Sequence, residues 1–273
     1  MARDRLTSAM VLALVVVLAG CSGLGAIGGG DPTVEETVTP APVPTDAVEY
    51  SPGIAKSGVS TDVVMETHER QMRETNYTFR SQQRVVGTNG TMWVTNRTRK
   101  IANGDGAYAG RIDRSVREFP LGRFAAPIEY WGNESVYSSR RILTDRTSFY
   151  GWSRSDQTDT FTSLPLIGRT LEAIRLSVVE RPGGVTLVGE SLSDPERLPS
   201  PPYLQNPRNV SLTVKVTEDG VISRWRLAYD ATLANQTVQV TRDARLTDIG
   251  STTVDRPDWV DAARAEMLSR QDE

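Results

Sequence analysis

His68 is the single histidine and Cys21 the single cysteine in the 273-residue chain, so a nucleophile–base pair would have to be built on one of them. A serine or thiol nucleophile needs a base within hydrogen-bond reach, most often an imidazole. His68 stands four residues from both Val64 and Met72, on the stripe of a helix predicted over residues 61–74. A histidine there reads as a packed or half-exposed helix residue. There is no HExxH and no paired-cysteine spacing for a metal. The turns at Gly87–Gly90 and Gly104–Gly106 lack the Gly-Lys-Ser/Thr of a phosphate-cradling loop. Asp156 and Asp159, Glu218 and Asp219, and Asp255 and Asp258 are close in sequence. Acid–base work needs one carboxyl in an apolar pocket and the pair set across a substrate. These carboxyls fall in predicted turns or at a helix start, where they cap or face solvent. The expectation is a non-enzymatic chain with no catalytic residue, no metal and no cofactor.

Cys21 is explained by what precedes it. Met1–Arg5 is a mildly basic head, and Ala9–Ala19 is an unbroken apolar run. Eleven helical residues rise about 16 Å, well short of the roughly 30 Å hydrocarbon core, so the run is a signal-peptide core and not a span. Leu18-Ala19-Gly20-Cys21 follows, and this tetrapeptide in this context resembles the lipobox of secreted lipoproteins. The resemblance implies cleavage after residue 20, a lipid anchor on the Cys21 thiol, and a place on the outer face of the cell membrane. Two acyl chains, at about 0.8 kcal/mol per buried CH₂, anchor durably.

Residues 21–59 read as a tether. Ser22–Gly30 is mostly glycine and small residues, and prolines stand at 32, 40, 42, 44 and 52. Such a stretch cannot bury enough apolar surface to offset its ordering entropy. Residues 60–273 are then one domain with a sizeable core. Losing Arg3, Arg5 and Asp4 with the signal leaves 29 basic and 33 acidic residues and no basic tail, which argues against nucleic acid. Of eight asparagines, six stand in Asn-X-Ser/Thr: Asn76, Asn89, Asn96, Asn133, Asn209 and Asn235. They are glycosylation candidates, or the by-product of threonine-rich strands. Only three lysines, Lys56, Lys100 and Lys215, stand against 28 arginines. Lipobox, sequons and arginine bias together resemble secreted lipoproteins of halophilic archaea.

The domain's pattern alternates between periods. After the 61–74 helix, with Ser60 as its cap, period-two alternation runs through Tyr77–Val86 to an Asn89-Gly90 turn and a partner strand over 91–101. Shorter strands are predicted within 108–119, 128–131, 136–143 and 147–152. Leu164, Ile167, Leu171, Ile174 and Val178 step by three and four, predicting a helix over 163–178 capped by Thr162 or Ser163. Strands at 179–181 and 185–190 flank Pro182-Gly183-Gly184, and Ser193–Pro207 reads as a surface loop. Val210–Thr217 and Val221–Tyr229 flank Asp219-Gly220. One or two strands follow over 237–249, and a helix over 258–268 turns Trp259, Ala262, Ala263 and Met267 inward. Successive hairpins imply an antiparallel sheet with one face on a core, an α+β class.

This order, with VKVTEDGVISRW at 214–225, resembles the LolA/LppX-type lipoprotein family, and the Arg256-Pro-Asp-Trp-Val ending resembles a group of haloarchaeal lipoproteins. The first resemblance implies a curved antiparallel half-barrel with helices on one face and acyl chains bound between sheet and helices. If such a cavity exists, Trp225, Leu227 and Tyr229 on the sheet and Leu171 and Ile174 opposite them are its lining. Two uses of that interface stay open: binding or carrying an apolar ligand such as lipid, or a filled core in a structural or partner-binding envelope module. The expected partner is the membrane, through Cys21.

Overall fold

The computed structural model describes residues 49–116, 126–143, 147–153 and 164–270. The predicted signal peptide, Cys21, the tether to residue 48, Asp156, Asp159 and the caps Thr162 and Ser163 lie outside them. The elements run β1 (Glu49–Ser51), β2 (Ile54–Ala55), β3 (Gly58–Val59), α1 (Thr61–Arg73), β4 (Tyr77–Gly87), β5 (Gly90–Ala102), β6 (Ala107–Val116), β7 (Ile128–Gly132), β8 (Tyr137–Ile142) and β9 (Thr147–Ser153). They continue α2 (Leu164–Ala173), β10 (Ile174–Arg181), β11 (Gly184–Leu192), β12 (Gln205–Thr217), β13 (Ile222–Leu233), β14 (Gln236–Thr247) and α3 (Trp259–Ser269).

β4 to β14 form one antiparallel sheet of eleven strands, open at both ends, in the order β10-β11-β12-β13-β14-β4-β5-β6-β7-β8-β9. Strands adjacent in sequence supply all its neighbours but one, and the predicted hairpins at Asn89-Gly90, Pro182–Gly184 and Asp219-Gly220 are among them. β14 returns to pair with β4, Val240 opposite Val85, so the last strand seals against the first long one. The α+β class and the antiparallel sheet are as expected.

Register defines two faces. One row runs Leu246, Phe79, Arg99, Gly110, Tyr130 and Ser139 across β14 and β4–β8. α1 and α2 cover this face. Met72 packs with Tyr77, Ile101, Tyr108 and Tyr130, while Val64, Ile167 and Leu171 join Leu212, Leu227 and Val240 in the larger core. At the β6–β7 pair, Gly110 faces Tyr130 and Gly132 faces Tyr108. A Cβ on Gly110 would meet the Tyr130 ring and one on Gly132 the Tyr108 ring, so each glycine makes room for the aromatic opposite it.

Several expectations are corrected. The helices do not share one face. α3 packs on β8 and β9 from the side that carries Arg140, whose guanidinium lies 5.1 Å from the centre of the Trp259 ring. Its buried residues are Val260 and Ala263, and Ala262 is exposed. Residues 49–59, assigned to the tether, form β1–β3, and Ile54 is fully buried against the core. A lone isoleucine among Pro, Gly and Ser makes no period, which is why composition hides it.

α2 ends at Ala173, not Val178. Ile174, Leu176 and Val178 also fit a period of two, and β10 takes them along the sheet edge against β11. The 193–207 loop is not wholly on the surface: Leu198 and Leu204 are buried, and β12 begins at Gln205. Ser60 makes no side-chain cap; its N–H instead donates to the Gly53 carbonyl at 2.8 Å. On β13 a bulge opposite Lys215 and Val216 shifts the alternation, so Ile222 rather than Val221 or Ser223 joins the buried set.

Candidate functional site

Under β10–β13 the helix-covered face is filled. Leu171, Ile174, Leu227 and Tyr229 all lie in the main core, and none of them lines the cleft over Trp225. The Tyr229 hydroxyl is 3.3 Å from the Ser200 hydroxyl. Of the five residues expected to line a cavity, Trp225 alone does so, and Ile174 sits on a strand instead of the helix.

Beyond Trp225 the same face changes character. On β4 the core-facing positions after Phe79 are Ser81 and Gln83, and on β5 they are Thr95 and Arg97, in register with them. Arg114 of β6 pairs with Thr95, and Arg242 of β14 pairs with Gln83. Long and polar side chains give a helix nothing to close on without burying unpaired donors. A cleft of about 650 Å³ opens there, within the roughly 300–1,000 Å³ of small-molecule sites. Phe79, Trp93, Val116 and Trp225 give it an apolar floor, and Leu166 and Arg169 of α2 stand over it with the loop 199–203.

That loop is held firmly. Ser193 and Asp194 donate their N–H groups to the Ala173 carbonyl, satisfying the end of α2. Arg197 reaches back to Glu172 at 2.7 Å. Leu198 and Leu204 are buried on either side of the rim. Tyr203 is thereby set edge-on to Trp93, ring centres 6.0 Å apart at 72°, a favoured aromatic geometry.

The cleft is cationic. Arg242 Nε donates to Gln83 Oε1 at 3.1 Å, but its Nη1 is buried without a hydrogen-bond partner. Burial lowers the Arg242 pKa from the ordinary guanidinium value. Burial also lowers that of Arg97, and the Arg242 charge lowers it further. Arg114 is lowered by burial and then by Arg97 and Arg141. The one carboxylate at the cleft edge among the described residues, Asp243, is held by Arg224 at 2.6 Å. On the opposite face two arginines are ion-paired: Arg111 binds Asp113 and Glu129, and Arg140 binds Glu129 at 2.7 Å.

The other candidates lie apart from the cleft. His68 is buried, and its Nδ1 accepts the Ile222 N–H at 3.2 Å. It borders a separate apolar space of only about 40 Å³ with Met72 and Ile101. Glu218, Asp219, Asp255 and Asp258 are exposed. Among the sequons, Asn89, Asn96, Asn209 and Asn235 are exposed. Asn76 and Asn133 are half-buried, with their Oδ1 atoms accepting main-chain N–H groups of Asn103 and of Ser135 and Val136.

Residues 205–263 match a family of unknown function (DUF7537). That span holds β12–β14, with Trp225 and Arg242, and the start of α3. No curated protein matches the chain. Among solved structures, the hypothetical protein CT021 from Chlamydia trachomatis is similar at 7% identity and a TM-score of 0.26, over 71% of this chain and 95% of that one. Among the described residues no helix is long and apolar enough to cross a membrane.

The sequence reading missed Arg97, Arg114, Arg242 and Tyr203. A signal was there. Arg97 shares its parity with Trp93 and Ile101, Arg114 with Ile112 and Val116, and Arg242 with Val238, Val240 and Ala244. A charge on the apolar parity of three strands marks a face that is not all core.

Proposed function

We propose that this is an exported protein, lipid-anchored at Cys21, whose non-catalytic sheet–helix domain binds an amphiphile in the cleft over Trp225. The observation that carries the reading is the division, among the described residues, of one sheet face into a filled half and an open half. A monomer that needed only a core would close the whole face, because interiors pack to crystal-like density. The open half is floored by aromatic rings and roofed by α2 and an anchored loop, as a site for an apolar chain requires. The LolA/LppX resemblance implies an open antiparallel sheet with its helices on one face, and α1 and α2, though not α3, lie on the cleft side. The lipobox at 18–21 and the tether place the domain a short reach from the membrane outer face, where amphiphiles are at hand. The exposed sequons Asn89, Asn96, Asn209 and Asn235 are open to glycans there.

The test is extraction of the full-length protein, purified from its own membranes, with organic solvent, followed by mass spectrometry. The expected result is about one amphiphile per chain beyond the Cys21 anchor. A preparation with none, and none taken up from membrane extract, favours the structural envelope module instead.

A further inference from the structure

The face of the sheet opposite the cleft carries charge in register. Lys215, Arg224, Arg245, Arg80, Thr98 and Arg111 form one cross-strand row over β12, β13, β14, β4, β5 and β6. The row spans five strand spacings, about 24 Å. Lys215 opposes Arg224, Arg224 opposes Arg245, and Arg245 opposes Arg80. Like charges set directly opposite one another destabilise a sheet, and a neutral residue such as Thr98 avoids that cost. No carboxylate stands in the row from β12 to β6. In the rows on either side the described carboxylates are Asp243 and Asp113. Each binds an arginine of the row, Asp243 to Arg224 at 2.6 Å and Asp113 to Arg111 at 2.9 Å. Lys215, Arg245 and Arg80 are exposed and form no ion pair among the described residues, and the same holds for Arg226 and Lys100 one row away. α1 and α2 lie on the other face and α3 packs on β8 and β9, so these strands are left bare here. The chain as a whole has a formal net charge of −3, which makes the row a local concentration of cations in an acidic protein. Cations about 4.8 Å apart along an exposed line meet many anions side by side, as a layer of headgroups offers them. Guanidinium forks match phosphate oxygens.

We infer that this face docks on anionic lipid headgroups of the membrane, through Lys215, Arg226, Arg245, Arg80 and Lys100. This rests on the Cys21 anchor of the reading above, which keeps the domain near such a layer, and not on the ligand in the cleft. Each cation close to an anionic surface strengthens binding about fivefold, so a handful of them hold the domain weakly and reversibly. The row orients a domain that Cys21 retains. Docked, the domain turns its cleft away from the bilayer. Undocked, the cleft is free to face it.

The test is flotation of the purified full-length Cys21→Ser protein, which lacks the anchor site, with vesicles at millimolar lipid. The vesicles are phosphatidylcholine alone, or phosphatidylcholine mixed two to one with phosphatidylglycerol. In about 0.1 M salt, binding to the anionic vesicles is expected to be about a hundredfold tighter or more, and to fall to the neutral level in about 1 M salt. Adding R80Q/R245Q, which removes one opposed pair of cations, is expected to weaken it about twentyfold and to leave the thermal midpoint in place. Adding R70Q/R73Q instead takes the same charge from the exposed side of α1, on the other face, and is expected to change nothing. Equal loss in the two variants assigns the binding to net charge and overturns the docking face. Equal binding to the two kinds of vesicle overturns the inference and leaves the anchor standing, since release of Cys21→Ser to the medium tests that separately. Polyglutamate bound more tightly than the anionic vesicles overturns the lipid partner in favour of an acidic polymer. Asn96 stands one row away on β5, where a glycan holds the face off the membrane. Glycopeptide mapping of the native protein is expected to find Asn96 free, and an occupied Asn96 overturns the inference.

Discussion

His68 Nδ1 on α1 accepts the main-chain N–H of Ile222 at the start of β13, at 3.2 Å across the core. The bond exists only while Nδ1 is unprotonated. Burial pushes the imidazole pKa down to about 4, against the small raising effect of Glu69. The unfolded chain takes up this proton near pH 6.5 and the native chain only near 4, so stability is full above 6.5 and is lost as pH falls from 6.5 to about 4. The whole loss is about 3 kcal/mol. Urea unfolding at pH 7.5 and pH 4.5 should show it. In His68→Gln, whose amide oxygen can accept the same N–H without titrating, the loss over that interval should shrink. An unchanged pH dependence in the variant assigns the acid sensitivity to other groups.

Gly110 and Tyr130 make a second prediction. Their pairing on β6 and β7 leaves no room for a methyl group, so Gly110→Ala must displace the ring or the strand. Overpacking of this kind costs about 1–3 kcal/mol, a fall in thermal midpoint of roughly 2–4 °C per kcal/mol for a domain of this size. A midpoint within a degree of the parent shows that the ring moves freely and the close approach is not required.

These particulars also show how far the sequence could be read. Turn chemistry was legible, because Asn89-Gly90, Gly183 and Asp219-Gly220 each place a positive φ on glycine where a hairpin needs it. The α1 stripe of Val64, His68 and Met72 was legible for the same local reason. The end of α2 was not, because Leu171, Ile174 and Val178 fit a helix while Ile174, Leu176 and Val178 fit a strand. Only pairing with β11 decides between them. The cleft was the least legible. Which residues meet across β14, β4, β5 and β6 depends on β14 returning to β4, a long-range choice that no local period records. Trp225 was found by alternation, whereas the arginines beside it were hidden among 28 in an arginine-biased chain.

The division of the face into filled and open halves predicts opposite responses to two substitutions. Leu227 is fully buried in the filled half, so Leu227→Ala should cost about 2–5 kcal/mol. Thr95 is half-buried on the cleft floor, so Thr95→Phe projects a ring into empty space. It should leave the thermal midpoint nearly unchanged and abolish amphiphile retention. A Thr95→Phe protein that folds and still carries its ligand puts the site elsewhere.

Cys21→Ser tests the anchor separately. It should leave the domain's circular dichroism and thermal midpoint unchanged and move the protein from the membrane fraction to the medium. Retention in the membrane would mean that something other than the thiol holds it.

The most direct measurement is photocrosslinking of the full-length protein with a long-chain alkyl amphiphile carrying a diazirine in its chain, with the labelled peptides mapped by mass spectrometry. The account predicts label on the segments that line the cleft, residues 79–83, 93–97 and 199–203, with labelling reduced by an excess of the same amphiphile without the diazirine. Label confined to other segments, or label that the excess leaves unchanged, contradicts it.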